Sequence, residues 1–198
     1  MAMWVRPVGA EALPAWQDGI RRTYAEAFAG PPWHEDPSLA DGYVHRLAED
    51  AARPGFRAAL ALSGAPEDPD AASVVGFATA WTTASPFPSD RGYAAVASVL
   101  GPERTAAWLV GALEVDELAL SPRARGTGLA AALLESVTAS APEGRCWLLT
   151  SADAGPAVRL YLRLGWRRVP GPAGRPDIAV FLGPRHPASR EPAPRVDV

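Results

Sequence analysis

The sequence predicts a mixed α/β fold, with a mostly antiparallel sheet and helices packed on its faces. Runs with strand character and runs with helix spacing alternate along the chain. The strands predicted at 56–62 and 73–82 are separated only by the turn-rich segment SGAPEDPDA. No repeat with a period of roughly 20 to 50 residues is visible, which excludes solenoids and propellers.

The N-terminal half of the chain is predicted to contain three strands and two helices. Ile20, Tyr24 and Phe28 recur at helical spacing, and the prolines of PPWHEDP (31–37) end that helix. The predicted elements are a strand over 1–6, helices over 20–28 and 39–52, and strands over 56–62 and 73–82.

The C-terminal half continues the alternation. Pro156 suits the first turn of a helix and Gly165 suits the residue that ends it. The segment 84–112 is longer than an ordinary hairpin connection, and long insertions often shape a site or contact a partner. The predicted elements are a short helix over 103–109, a strand over 113–120, a helix over 128–140, a strand over 146–150, a helix over 156–164, and strands over 166–169 and 178–182.

Length and composition bound the domain organisation and the function classes. The 198 residues favour one domain over 1–182, followed by a Pro- and Arg-rich tail over 183–198 that we expect to be disordered. A formal charge of −3 disfavours a nucleic-acid partner. No apolar run approaches the roughly 18 residues of a membrane span, and no secretory signal is evident. A single cysteine, Cys146, is consistent with a cytoplasmic protein.

A metal site is not expected, because Cys146, His34, His45 and His186 are the only soft ligands in the chain. We interpret His45 and His186 as surface residues and Cys146 as part of a strand core.

A glycine-rich turn between a predicted strand and a predicted helix carries the clearest chemical signal. Gly126 and Gly128 allow close approach of the backbone to a ligand, and the first amides of a helix favour negative charge. The turn therefore predicts a phosphate or pyrophosphate site. A Walker A loop is excluded because the chain contains no lysine.

The segment 126–131 also satisfies the loose dinucleotide pattern G-x-G-x-x-A. It lies late in the chain, with too few strand–helix units after it for a dinucleotide domain. A dinucleotide-binding oxidoreductase is therefore the less favoured alternative.

Two segments resemble a known family. Leu118-Ala-Leu-Ser-Pro-Arg-Ala-Arg125-Gly-Thr-Gly128-Leu-Ala130 resembles motif A of the GNAT (Gcn5-related) N-acetyltransferases, Q/R-x-x-G-x-G/A. Downstream, Ala157-Val-Arg-Leu-Tyr161-Leu-Arg-Leu-Gly165-Trp166 resembles motif B of that family. The resemblance is good over residues 113 to 169 and extends to the N-terminal half only in element order.

The resemblance implies a GNAT-like fold with a splayed central strand pair, acetyl-CoA as cofactor, and direct transfer of the acetyl group to a primary amine. The amine would belong to a small molecule or a peptide, and a homodimer is also implied because family members are often dimers. A non-catalytic acyl-CoA-binding sensor or scaffold is the main alternative. The implied contacts are the backbone of Leu118, Ala119 and Leu120 for the pantetheine arm and the turn Arg125, Gly126, Thr127, Gly128, Leu129 and Ala130 for the pyrophosphate.

The same resemblance implies that Tyr161 is the acid that protonates the departing sulfur. One departure concerns an asparagine that the family often has seven residues before this tyrosine, where it bonds the pantetheine. Ala154 occupies that position, and the chain contains no asparagine.

Three acids on the predicted central strand are candidates for the base that deprotonates the amine: Glu114, Asp116 and Glu117. Strand alternation places Glu114 and Asp116 on one face and Glu117 on the other, unless a bulge intervenes. The resemblance supports both glutamates as the base, and we place Glu117 ahead of Glu114.

The predicted substrate site combines aromatic and acidic side chains. The loop 31–37 contributes Trp33, Glu35 and Asp36, and Trp81 lies near the end of a strand. Aromatic rings beside carboxylates suit a cationic amine. A polar loop anchored by one tryptophan is an equally good interpretation of these residues.

Overall fold

A computed structural model describes residues 2–65, 72–170 and 177–190. These residues form the predicted mixed α/β fold with a seven-stranded, mostly antiparallel sheet. The strands are β1 Ala2–Val8, β2 Arg57–Gly64, β3 Ser73–Thr82, β4 Leu113–Leu120, β5 Cys146–Ser151, β6 Arg167–Arg168 and β7 Ile178–Leu182. The helices are α1 Leu13–Phe28, α2 Leu39–Asp50, α3 Tyr93–Leu100, α4 Pro102–Arg104, α5 Leu129–Thr138 and α6 Gly155–Arg163.

The described residues divide into two compact units. The first unit consists of the chain up to Thr82 together with Val115–Ala139. The second consists of Thr83–Glu114 together with the chain from Ser140 onward. Each unit is thus built from two separate stretches of sequence.

The sheet of the first unit begins as an antiparallel meander of β1, β2 and β3. Trp4 lies opposite Leu62 across the first pair, and Leu60 lies opposite Phe77 across the second. The chain leaves β4 beside β3, where the amide of Ser121 donates to the carbonyl of Val75 at 2.9 Å. The glycine-rich turn therefore begins directly at the end of this sheet.

Helices α1, α2 and α5 cover the first unit's strands. Leu60 and Leu62 of β2 lie in one core cluster with buried side chains of α1 and α2. Because side chains alternate along a strand, Ala59 and Ala61 point to the opposite face, and α5 contacts β1, β2 and β3 there. The first unit is thus layered as helices, sheet and helix, which fits the predicted arrangement.

The second unit contains β5, β7 and β6 in that order, paired antiparallel. Trp147 is fully buried at its centre, and its indole Nε1 donates to the hydroxyl of Thr83 at 2.8 Å. Arg145 donates to the carbonyls of Ala107, Trp108 and Val110 at 2.9–3.2 Å. These bonds hold the end of the 84–112 insertion at the residue that precedes β5.

Most predicted elements are confirmed, and β3, β4 and β7 have the predicted bounds. The prediction missed α3, which lies inside the 84–112 insertion. Its segment combines three alanines, which favour a helix, with Val96 and Val99, which favour a strand and are buried in the second unit, so the local pattern is ambiguous. Helix α1 also begins earlier than predicted, at Leu13, which packs on the same buried side as Ile20.

The expectation of a disordered tail from Gly183 is wrong for residues 183–190. His186 is buried (2% exposed), and its ring accepts the amide of Ala188 at Nδ1 and lies 3.0 Å from the carbonyl of Trp108 at Nε2. His186 is therefore not a surface residue. Arg167 donates to the carbonyl of Ala188 at 2.8 Å, so this segment packs in spite of its prolines and arginines. The rest of the predicted tail, 191–198, lies outside the described residues.

Among the described residues, every helix falls short of the length and apolar character that crossing a membrane would require.

Candidate functional site

The turn that joins β4 to α5 has the backbone shape that its glycines predict. Gly126 and Gly128 have φ values of +77° and +88°, in the left-handed region that disfavours other residues. A Cβ added to either glycine would meet no atom within 4 Å, so space is open in front of both. Thr127 steadies the turn by donating its hydroxyl to the carbonyl of Ala124 at 2.7 Å. This geometry leaves room for a ligand against the backbone.

The start of α5 presents free backbone amides at this turn. The first bond at the start of this helix runs from the amide of Ala132 to the carbonyl of Gly128, so the amides of Leu129, Ala130 and Ala131 have no partner within the helix. No side chain of the described residues caps the helix at Gly128. Unpaired amides together with the positive end of the helix dipole favour an anion such as a diphosphate. The predicted pyrophosphate contacts thus lie together at one helix end.

Two hydrogen bonds attach this turn to the end of α1 in the first unit. Ser121 donates its hydroxyl to the Glu26 carboxylate at 2.5 Å, and the guanidinium of Arg125 donates to the carbonyl of Ala27 at 3.1 Å. Arg125 is otherwise exposed. Before the turn, Ala119 is buried in β4, while Leu118 and Leu120 are half-buried.

A second group of side chains in the first unit surrounds Glu117. Burial, the first cause, raises the pKa of Glu117 to about 8, and the like charges of Asp116 and Glu35 raise it further. A bond from the Leu118 backbone and the charge of Arg46 act in the opposite direction. Glu117 is therefore a carboxyl group that can change its protonation state near neutral pH.

Aromatic rings from α1 and α2 pack beside these acids. Tyr24 stacks on Tyr43 and packs against Phe28, with 4.6 Å between ring centroids in both pairs. Trp33 of the following loop meets Phe28 edge to face at 5.7 Å and remains 37% exposed. Burial, and then the charge of Glu117, raises the pKa of both tyrosines, so they stay protonated. Two neutral tyrosines thus lie within range of the Glu117 charge.

Glu35 and Asp36 of the loop differ in their surroundings. Glu35 raises the pKa of Glu117 through its charge, and it also raises the pKa of Tyr24. Asp36 is exposed, and hydrogen bonds from Ser38, first from its side chain and then from its backbone, lower the pKa of its carboxyl. The structure therefore brings Glu35 to Glu117 and leaves Asp36 at the start of α2.

Trp81 lies in the first unit but offers no open surface. It is 1% exposed, and the guanidinium of Arg53 lies over its ring at 4.8 Å. Arg53 also pairs with the buried Asp50 at 2.6 Å. A substrate contact at Trp81 would require Arg53 to move, so this predicted role is less well supported than that of Trp33.

Glu114 and Tyr161 belong to the second unit. Glu114 is buried (5% exposed) and accepts a hydrogen bond from the Tyr93 hydroxyl at 2.8 Å. Tyr161 is 6% exposed on α6, with its ring 5.4 Å from Phe181 and 6.0 Å from Trp166. Glu114 is thus engaged by the α3 helix of the insertion, whereas Tyr161 sits in an aromatic cluster.

Three residues of the Glu117 environment were not predicted from the sequence. Tyr24 was interpreted only as part of an apolar helix face, and Tyr43 and Arg46 were not singled out. Arg46 lies over the Tyr43 ring at 5.3 Å and within 3.9 Å of Asp50. Tyr43 and Arg46 lie one helical turn apart on α2, and this spacing is the sequence signal that could have placed them on one face of the helix.

The described residues offer no metal site, and they include a groove that lies apart from Glu117. Within the described ranges, no group of three or more His, Cys, Asp and Glu side chains is placed to hold a metal ion. An open, mostly apolar groove of the first unit is lined by α1 and α2 residues such as Leu13, Ile20 and Leu47, and it shares no residue with the Glu117 environment.

The chain matches a family model over most of its length. Residues 18–166 match the model of the Acetyltransferase (GNAT) family. The chain belongs to this family. The GNAT match begins within α1 and ends just after α6, so it includes the glycine turn, the Glu117 environment and Tyr161. No curated protein sequence matches the chain.

Solved structures share the GNAT fold at low sequence identity. The protein PH1933 from Pyrococcus horikoshii OT3 is 13% identical, with a TM-score of 0.61 over 92% of this chain and 98% of that one. An acetyltransferase from Thermus thermophilus is 17% identical, with a TM-score of 0.53 over 92% and 96%. The PaiA N-acetyltransferase of Thermoplasma acidophilum, solved in complex with coenzyme A, is 12% identical, with a TM-score of 0.53 over 92% and 99%.

Proposed function

We propose that this GNAT protein transfers the acetyl group of acetyl-CoA to a primary amine. The observation that carries the proposal is the glycine turn before α5, where the first amides of the helix have no partner within it and the space beside Gly126 and Gly128 is open. A diphosphate fits such a site, and coenzyme A carries one. The PaiA N-acetyltransferase with the same fold is solved with coenzyme A, which supports this cofactor.

Residues of the first unit would hold the cofactor. The amides of Gly126 to Ala130 bind the diphosphate, and the backbone of Leu118 to Leu120 is available for the pantetheine arm. The cofactor supplies an acetyl group already activated as a thioester. Ala154, which is buried, has no polar side-chain atom for the pantetheine contact that an asparagine makes in many family members.

Glu117 is the base in this proposal. An alkylammonium group must lose a proton before its nitrogen can attack, and a base is most effective when its pKa lies near the working pH. The pKa of Glu117, about 8, meets that requirement. Glu117 takes the proton directly or through one water molecule, while Tyr24 and Tyr43 exclude bulk solvent from it.

The remaining roles fall to the backbone and to Tyr161. A strand amide near Leu118 or Ala119 steadies the negative charge that develops on the carbonyl oxygen. Tyr161 donates a proton to the departing sulfur. Glu114, the second candidate base, already accepts a hydrogen bond from Tyr93, which favours a role in holding the insertion.

Calorimetric titration with coenzyme A tests the cofactor, and free-thiol release from acetyl-CoA with a panel of amines tests the transfer. Gly128→Ala should weaken coenzyme A binding by about tenfold or more, because its Cβ would enter the open space at the amides and the residue would be strained. Gly111→Ala is the matched control, since Gly111 also has a positive φ, +73°, and open space around it.

Binding of coenzyme A without thiol release for any amine would support the sensor or scaffold instead. Binding of NAD(H) and not of coenzyme A would support the oxidoreductase. The antiparallel pairing of β1, β2 and β3 already argues against that last class, whose sheets are parallel.

A further inference from the structure

Glu26 carries its charge where local electrostatics disfavours an acid. It lies in the last turn of α1, two residues before the helix ends at Phe28. The dipole of a helix repels a carboxylate near its C-terminal end. Glu26 is also bonded to Ser121 at the start of the glycine turn, and a negative charge there opposes the binding of a diphosphate. Local preference therefore does not explain an acid at this position.

The Glu26 carboxylate is nevertheless held by a buried partner. Ser121, which is 2% exposed, donates its hydroxyl to this carboxylate at 2.5 Å. Hydrogen bonds from a hydroxyl to a carboxylate are short and stronger than those between neutral groups. Glu26 itself is exposed, so its side chain could turn to solvent if the bond were unfavourable. The bond to Ser121 thus offsets the poor placement of the charge.

Ser121 is the residue at which the chain leaves β4 for the glycine turn. Its amide donates to the carbonyl of Val75, and its carbonyl accepts the amide of Ala124, both at 2.9 Å. With the bond to Glu26, the amide, carbonyl and hydroxyl of Ser121 are all engaged. The position of Ser121 therefore sets where the turn begins.

Arg125 attaches the other end of this segment to α1. Its guanidinium donates to the carbonyl of Ala27, the residue after Glu26, at 3.1 Å. A cation suits that place, because the last carbonyls of a helix lack partners within it. Gly126 follows Arg125 directly. Two neighbouring residues of α1 thus hold both ends of the segment 121–125, immediately before the glycines.

Helix α1 is a firm base for these two bonds. The hydroxyl of Thr23 donates to the carbonyl of Val74 at 3.1 Å, and both residues are buried. Ala27 and Phe28 belong to the core cluster that α1 shares with side chains of β2 and β3. Glu26 is therefore presented by a helix that is itself fixed on the sheet of the first unit.

We propose that Glu26 is a positioning residue of the cofactor site, and that it acts through Ser121. It holds the start of the glycine turn so that the amides at the start of α5 are already oriented for the diphosphate of coenzyme A. A turn that is ordered before binding loses less entropy when its ligand arrives, so it binds that ligand more tightly. The inference rests on the proposed function, because it takes coenzyme A as the ligand of the turn.

Glu26→Ala removes both the charge and the hydrogen-bond acceptor. Calorimetric titration with coenzyme A should show binding weakened by about threefold to tenfold, the usual contribution of an intramolecular hydrogen bond. Charge alone predicts the opposite result, because the variant takes a negative charge away from an anion site. Glu49→Ala, which alters an exposed carboxylate of α2, should bind as the wild type does. Unchanged or tighter binding in Glu26→Ala would overturn the proposal.

Glu26→Gln separates the acceptor from the charge. Glutamine also lacks the charge, but it keeps an oxygen that can accept the Ser121 hydroxyl. The dissociation constant of this variant for coenzyme A should lie nearer to the wild-type value than to that of Glu26→Ala. Equal weakening in the two variants would show that the hydrogen bond is not what matters, and the role through Ser121 would fail.

Ser121→Ala tests the same bond from its other end. Combined with Glu26→Ala, it should weaken coenzyme A binding by about as much as the more damaging single substitution, because either one removes the bond. Fully additive losses would mean that the two side chains act separately, which contradicts the proposal.

Thermal unfolding without coenzyme A fixes a titration temperature at which every variant is fully folded, so that the dissociation constants report on the site alone. A lower unfolding temperature in Glu26→Ala with unchanged affinity would give Glu26 a role in stability only and overturn the proposal. If all variants bind coenzyme A equally, the cofactor assignment stands and the role of Glu26 fails. If the wild-type protein binds none, the proposed function itself fails.

Discussion

Glu117 lies among Tyr24, Tyr43 and Asp116, where burial disfavours its charged form more than Arg46 favours it. The sequence places three acids on one strand, and alternation alone could not select among them. The structure separates them by environment. Glu114 accepts a hydrogen bond from Tyr93, whereas Glu117 lies in an aromatic site with a pKa of about 8.

Glu117→Gln should lower kcat/KM by about 10² to 10⁴, the usual contribution of a general base. In the wild-type protein, kcat/KM should rise with pH through an apparent pKa of about 8, after correction for ionisation of the amine. Initial rates of thiol release across pH measure both effects, and the pH-dependent rise should be absent in Glu117→Gln.

Asp116→Asn is the informative companion variant. The Asp116 charge raises the pKa of Glu117, so its removal should move the rise in kcat/KM to lower pH without abolishing it. A rise near pH 8 that persists in Glu117→Gln would assign the base to another group.

At the scale of elements, strands and amphipathic helices could be predicted because their patterns are local. Strands β3 and β4 carry many buried side chains, and their predicted bounds match the observed ones. Helix α3 could not be predicted in this way, because its short segment mixes alanines, which favour a helix, with valines, which favour a strand. Burial of Val96 and Val99 in the second unit accompanies the helix. The packing of residues 183–190 could not be predicted either, because the His186 ring lies against the carbonyl of Trp108, which is distant in the sequence.

The packing of α1 on β3 depends on the absence of a side chain at Gly19. A Cβ there would lie 2.7 Å from Cγ2 of Val74, which is itself buried. Gly19→Ala should therefore destabilise the protein by about 1–3 kcal/mol, the usual range for overpacking, although alanine is the better helix former. Urea denaturation measures the change.

Gly42→Ala is the control, because Gly42 lies on the exposed side of α2 with no atom within 4 Å of an added Cβ. This variant should stabilise the protein by about 0.5–1 kcal/mol. Stabilisation by both alanines would show that α1 can shift on β3 without cost.

At the scale of the whole molecule, the cofactor side was predictable and the acceptor side was not. The turn and the helix that follows it occupy one short segment, so their spacing carries the signal. The proposed acceptor side combines residues of α1, the loop after it, α2 and β4, which are far apart in the chain. Tyr24, Tyr43 and Arg46 are ordinary residues of amphipathic helices until folding brings them to Glu117.

The same environment links global stability to pH. The pKa of Glu117 is about 8 in the folded protein, against an ordinary value of 4.5 that applies when the chain is unfolded. Between these values the folded state keeps a proton that the unfolded state loses, so Glu117 makes stability fall as pH rises through this window. Below about pH 4.5 both states are protonated and the effect vanishes.

Glu117→Gln should remove this pH-dependent loss. Relative to the wild type, the variant should gain on the order of 3 kcal/mol in the free energy of unfolding between about pH 5 and pH 8.5. Urea denaturation at a series of pH values measures the difference, and Glu49→Gln, which alters an exposed carboxylate, should run parallel to the wild type. Parallel curves for Glu117→Gln as well would mean that Glu117 is charged in the folded protein at neutral pH, and the rise in kcat/KM would then lie near pH 4.5.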